Sequence, residues 1–267
     1  MKKALGFTLV LTLVLMFSAA AFAAPAEEVI SIKGGTVTVN VIDDFSTHSA
    51  SDNYNNENYW TFEFDGKKLE IKMSDSTNIL YHKVANEGPK VPNDDASKAL
   101  WASAKYVGYQ IKNGNSGDIT LALESTLSDG NEWGALMQNH NTEEEIAAAP
   151  VVLLSKKNGK VSAKETAAGN NRSWGAVIPA GFDGWVFFPI ARLNGVSGEA
   201  YFNNISFYME CNAETFTLTV DNLALAENLD VTPGGSDEPT TTADVSTIAF
   251  AAVSVLGCGA LAVRKKR

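Results

Sequence analysis

In Trp60-Thr-Phe-Glu-Phe64 aromatic and polar residues alternate one for one, and Leu69, Ile71 and Met73 resume the alternation beyond Asp65-Gly66. Successive side chains of an extended strand point to opposite faces, so a period of two predicts strands with one buried face, and Asp-Gly fits the hairpin turn between them. The same period governs residues 27–229. Further strands are expected at Val37–Ile42, Tyr106–Ile111, Ile119–Leu123, Val151–Leu154, Trp174–Ile178, Trp185–Ile190, Ile205–Met209 and Phe216–Leu225, with a turn at Asn158-Gly159. One short helix stands out. Asn141 or Thr142 caps it, Glu143, Glu144 and Glu145 occupy the first turn where the helix dipole favours acids, and Pro150 ends it. No internal repeat is present. Roughly ten half-apolar strands must bury their faces against a second sheet, which predicts an all-β fold, an antiparallel β-sandwich or jelly roll. Pro189 cannot donate a ladder bond, so its strand is expected at an edge or bulged.

The two ends have a different character. Lys2 and Lys3, the apolar run Leu5–Phe17 and the small-residue site Ala21-Phe22-Ala23 predict a secretory signal helix over residues 1–23. Val245–Val263 is 19 residues without a charge, roughly 28 Å as a helix and enough to cross a bilayer. The basic tail Arg264–Arg267 puts the C-terminus in the cytoplasm and the body on the extracellular face of the cell membrane. Residues 230–244, rich in Pro, Gly and Thr, read as a disordered linker. The order Pro239-Thr240-Thr241, acidic residue, apolar run and basic tail resembles the cell-wall sorting signal of Gram-positive surface proteins. Glu238 stands where that signal carries leucine and Thr242 where it carries glycine. A plain single-span anchor is therefore expected, with cell-wall attachment as the alternative.

Charge and cysteine placement follow from this division. Two of the 21 Lys and Arg fall in the leader and four in the tail, so 15 face all 31 Asp and Glu outside, a balance of −16. Phosphate backbones need basic clusters, which excludes nucleic acid as a partner. Cys211 lies outside the expected span and Cys258 within it, so the two cannot pair in one chain, which is expected to be a monomer.

Three segments, Val41-Ile-Asp-Asp-Phe-Ser46, Ile178-Pro-Ala-Gly-Phe-Asp-Gly-Trp-Val-Phe-Phe-Pro189 and Thr217-Leu-Thr-Val-Asp-Asn-Leu-Ala-Leu225, together resemble the carbohydrate-binding modules of the galactose-binding-like jelly-roll type, closest to the family 11 modules of clostridial glucanases. The resemblance covers most of residues 30–228. It implies a calcium-stabilised sandwich whose concave sheet binds an extended polysaccharide, such as a β-glucan, through aromatic rings. The last segment carries its own argument. Phe216, Leu218 and Val220 share one parity while Leu223 and Leu225 share the other, so an extra residue must interrupt the strand at Asp221-Asn222. Such a bulge would re-aim Asp221. If first and last strands are neighbours, Asp43 or Asp44 could meet it as hard oxygen ligands for Ca2+. The alternative is ordinary turn chemistry at both places.

A sugar ring offers an apolar face to aromatic side chains and a hydroxyl edge to amides, carboxylates and Arg. Tyr54 and Tyr59, in an Asn-rich run, are candidates of both kinds, and Tyr81, Trp133, Trp174 and Tyr208 are further aromatic ones. Arg192 occupies a place where similar modules carry a basic site residue. For each ring, ordinary strand packing is the competing explanation. Catalysis has little support: His48, His82 and His140 are far apart, and neither a His-Glu-x-x-His motif nor a Gly-x-Ser-x-Gly elbow is present. The expectation is a non-catalytic glycan-binding surface module. A structural or adhesive surface protein is the alternative, and a jelly-roll glycoside hydrolase stands third.

Overall fold

The computed structural model describes residues 25–48, 54–56, 60–65, 68–73, 91–131, 134–137, 141–168, 173–204, 207–211 and 216–234. The expected signal helix and membrane span lie outside these residues. No helix among the described residues is long and apolar enough to cross a membrane.

A hairpin of β1 (Ala26–Ile32) and β2 (Gly35–Asp43) comes first, followed by β3 (Tyr54–Asn56), β4 (Trp60–Asp65) and β5 (Lys68–Met73). Helix α1 (Asp95–Ser103) leads into β6 (Tyr106–Asn113) and β7 (Ile119–Leu123). Helix α2 (Glu143–Ala148) precedes β8 (Val152–Ser155), β9 (Gly159–Ser162), β10 (Glu165–Ala168) and β11 (Ser173–Ile178). β12 (Asp183–Pro189) runs into a 3-10 turn, Ile190–Arg192, and β13 (Phe207–Cys211), β14 (Phe216–Ala226) and β15 (Thr232–Pro233) complete the fold. The expected strands fall within one or two residues of these bounds. Helix α1 was not foreseen: Asp94 caps it, its carboxylate accepting from the Ser97 N–H at 2.9 Å and hydroxyl at 3.0 Å. Those bonds to the ionised form hold the Asp94 carboxyl below its ordinary range. Thr142 caps α2 as expected, in a reciprocal capping box with Glu145.

The strands form two antiparallel sheets. One has eleven strands along the path β3-β4-β5-β14-β6-β12-β8-β9, with β2 also on β14 and β1 and β15 on β2; the other has four, β10-β11-β7-β13. Their facing sides share the main core. Tyr109, Val186 and Leu218 of the large sheet meet Leu121, Ala176 and Phe207 of the small one, and the Tyr109 and Phe207 rings cross edge to face at 4.9 Å. The far side of the large sheet carries a second core of Val37, Val39, Trp185, Phe187, Ala224 and Ala226, because the β1–β2 hairpin curls over it. Trp185 and Phe187 stack there at 5.6 Å, and Gly108 leaves room that a Cβ would take from the Phe187 ring. One expectation is corrected. β12 is an inner strand, paired with β6 and β8, and Pro189 is tolerated because it ends the strand two residues beyond the last β8 pair, Phe187 with Val152.

Candidate functional site

The expected bulge is present in β14. Val220 pairs with Ile111 and Leu223 with Tyr109, so Asp221 and Asn222 together stand opposite Gln110 alone. Tyr109 and Ile111 face the main core, so Gln110 faces the other side, where Asn222 Nδ2 donates to its Oε1 at 2.8 Å. Glu28, on the inward-facing parity of β1 with Ile30 and Ile32, is half-buried there. Burial pushes its carboxyl above its ordinary range, and the charge of nearby Asp221 adds to the shift.

A cleft of about 640 Å³ opens at this place, lined by Glu28–Ser31 of β1, Gln110, Leu154–Asn158, and Pro179–Trp185. Its floor is β6 and β12, with Trp185 only 3% exposed. One wall is the β8–β9 turn, fixed by Asn158 N–H to Ser155 Oγ at 3.0 Å and joined to the hairpin tip by Lys33 N–H to Ser155 O. Gly159 has φ +72, and a Cβ there would stand 2.7 Å from Lys33 O. Both conditions require glycine. The opposite wall, residues 179–183, is tied down by a fully buried amide. Asn113 Nδ2 donates to the carbonyls of Gly117, Ile178 and Pro179 at 3.0–3.2 Å. Asp118 accepts from Ala180 N–H at 2.9 Å, and the Asn113 N–H bonds Phe182 O. The cleft thus has a rigid frame and presents carboxylates, amides and ammonium groups to whatever enters it.

Of the aromatic and basic residues singled out from sequence, Tyr54, Trp174, Arg192 and Tyr208 lie among the described residues. Tyr54 lies in β3 at the edge of the large sheet, and Tyr59, Tyr81 and Trp133 lie outside the described residues. Trp174 shares parity with Ala176 and Ile178, is half-buried and packs on the main core. Tyr208 lies in β13 of the same small sheet, paired with Ala122 of β7. Arg192 is 3% exposed. Its guanidinium forms a bidentate pair with Glu165, at 3.0 Å to Oε1 and 2.6 Å to Oε2, and also donates to Ala149 O. This clamp joins the 3-10 turn, β10 and the end of α2.

Asp43 Oδ1 accepts from Phe45 N–H at 2.8 Å and Oδ2 from His48 Nε2 at 3.0 Å, in a buried pair. Asp44 caps a turn through Ser46 N–H. Among the described residues no three His, Cys, Asp or Glu gather as a metal site. None of the three aspartates lines the cleft, and Asp221 lies near enough to Glu28 of the lining to raise its carboxyl. Glu28, Gln110, Asn113, Glu165 and the Asp43–His48 pair were not foreseen. The bulge signal could have pointed to Gln110 as the residue opposite it, whereas nothing local marks Glu28 or Glu165. Compared with known proteins, the sequence matches no family model, no curated protein and no solved structure.

Proposed function

We propose that the β-body is a non-catalytic, extracellular glycan-binding module of jelly-roll type, held at the cell surface by a C-terminal span. The observation that supports this most is the cleft beside β1. Its volume lies in the range of small-molecule sites, and its polar groups converge from four separate segments around buried rings. Such a lining suits a hydroxyl-rich ligand, with the Gln110 amide and the carboxylates of Glu28 and Asp183 as partners for sugar hydroxyls. Glycan-array binding by the full chain tests it. Binding to a polysaccharide class that weakens at least tenfold in Gln110→Ala is the expected result; no binding across the array rejects the module and favours a structural or adhesive protein.

A second reading has its own support. Two carboxylates, Glu28 and Asp221, are close enough to interact, and the first holds its proton more tightly than usual, the pattern of a glycosidase acid and its partner. Reducing-sugar release from a bound polysaccharide, lost in Glu28→Gln, would favour it over simple binding. The calcium implied by the family resemblance is tested by chelation: a lower melting temperature supports bound calcium, and an unchanged one removes it.

A further inference from the structure

The β8–β9 turn gathers positive charge on a body whose acids outnumber its bases. Lys156 and Lys157 lie in that turn and line the cleft. Both are exposed, and among the described residues neither is held by a carboxylate. Lys33 reaches the same place from the hairpin tip, its N–H bonding Ser155 O and its carbonyl lying against Gly159. Lys160 is engaged differently, since its Nζ donates to Leu229 O at 2.7 Å. Asn158 N–H on Ser155 Oγ fixes the turn, so the two ammonium groups of the wall extend from a rigid base. The acids of the lining stand elsewhere. Asp183 is directly opposite Lys112 in the β6–β12 ladder, a neighbour of opposite sign. Glu28 precedes Lys33 by five residues of extended chain, roughly 16 Å. That separation exceeds the Debye length of about 8 Å at physiological salt, so Glu28 does little to neutralise the lysines or to repel an anion beside them.

We infer that the ligand of this cleft is an acidic saccharide, with its hydroxyls on Gln110 and the residue 179–183 wall and its anionic group, a uronate carboxylate or a phosphate, at Lys156 and Lys157. This rests on the glycan-binding reading and narrows its ligand class. A neutral sugar of the same shape would leave both ammonium groups in water. Lysine is a compact point charge on a flexible stem, so it selects for negative charge without demanding the planar geometry that an arginine fork would. Two exposed contacts of this kind favour the acidic sugar by about fivefold, equivalent to about 1 kcal/mol.

The test is an array of neutral, uronate-bearing and phosphate-bearing saccharides probed with the full chain in a polyoxyethylene detergent at low salt. Calorimetric titration then compares the tightest acidic ligand with the neutral sugar of the same backbone. The acidic form is expected to bind about fivefold more tightly, a preference that shrinks in about 0.5 M NaCl. The double variant Lys156→Gln, Lys157→Gln should erase the preference without weakening the neutral sugar, while Lys98→Gln, on α1, should leave it intact. The uronate and phosphate arms show which anion is taken. Equal binding of acidic and neutral forms overturns the inference while the glycan reading stands. So does a preference that survives the double variant, or one that falls equally in Lys98→Gln, which would be general attraction to surface lysines. Failure of every saccharide on the array removes the glycan reading itself, and this inference with it.

Discussion

The two halves of β14 differ in composition as they differ in surroundings: Thr alternates with Leu and Val in the first, and Ala alternates with Leu in the second. In Thr217-Leu-Thr-Val220 burial alternates: Leu218 and Val220 are in the main core, and Thr217 and Thr219 are only half-buried. In Leu223-Ala-Leu-Ala226 every residue is buried, Leu223 and Leu225 in the main core and Ala224 and Ala226 in the second. The difference comes from what covers the outer face. The β1–β2 hairpin lies over the second half and leaves the first half open. The change of cover coincides with the bulge, and the cleft lies beside the covering hairpin and includes Gln110, the residue opposite the bulge. Thus a strand's sequence reports the cover on each of its faces, and a break in its alternation marks where that cover ends.

The largest test of this comparison is removal of both residues of the bulge. Deleting Asp221 and Asn222 together would turn Leu223 and Leu225 to the outer face and drive Ala224 and Ala226 into the main core. Loss of cooperative thermal unfolding by circular dichroism is expected; a melting temperature shifted by only a few degrees would mean that the bulge does not set the register. Next in size is a paired truncation across the two halves. Phe187→Ala, under the hairpin, should cost about 3–5 kcal/mol in denaturant unfolding, whereas Thr219→Ala, on the open face, should stay within about 0.5 kcal/mol. Similar costs for both would show that the hairpin does not bury its half of the sheet.

Asn113→Ala leaves buried carbonyls of the cleft wall without their donor and should cost about 1–3 kcal/mol, with faster amide exchange confined to residues 178–183. The smallest effect concerns Glu28. Its carboxyl titrates higher in the folded chain than in the unfolded one, so the folded state binds the extra proton and stability falls as pH rises through the window between the two values. Above that window the full penalty is present. Glu28→Gln should remove this fall and leave the variant at least as stable as the wild type at neutral pH; an unaltered stability profile would show that Glu28 feels neither burial nor Asp221.

How much of this was legible depended on whether the signal was local. Alternation in Trp60–Phe64 and the parity break at Asp221-Asn222 are properties of neighbouring residues, and both strands and bulge follow. So does the cap at Thr142, three residues from its partner Glu145. The polar strand β1, Ala26-Glu-Glu-Val-Ile-Ser-Ile32, has a weaker pattern because Ala26 and Glu27 are exposed and Glu28 borders a cleft instead of a core. Pro189 points to an edge or a bulge, and neither is needed because β8 stops short of it, a length that is not written near Pro189. Glu165 and Arg192 are 27 residues apart and Asn113 lies 65 residues from Ile178, so their meeting is a property of the sheets and has no trace in local sequence. Aromatic residues are equally suited to cores and to sugars, so the sequence alone does not separate the two roles, and Trp174 packs on the core.

The most direct measurement is hydrogen–deuterium exchange of the full chain with and without a saturating glycan identified on the array. The account predicts slower exchange at residues 28–31, 110 and 180–184, the borders of the cleft, with the small sheet unchanged. Protection confined to β7, β11 and β13, or spread evenly over the body, would contradict it.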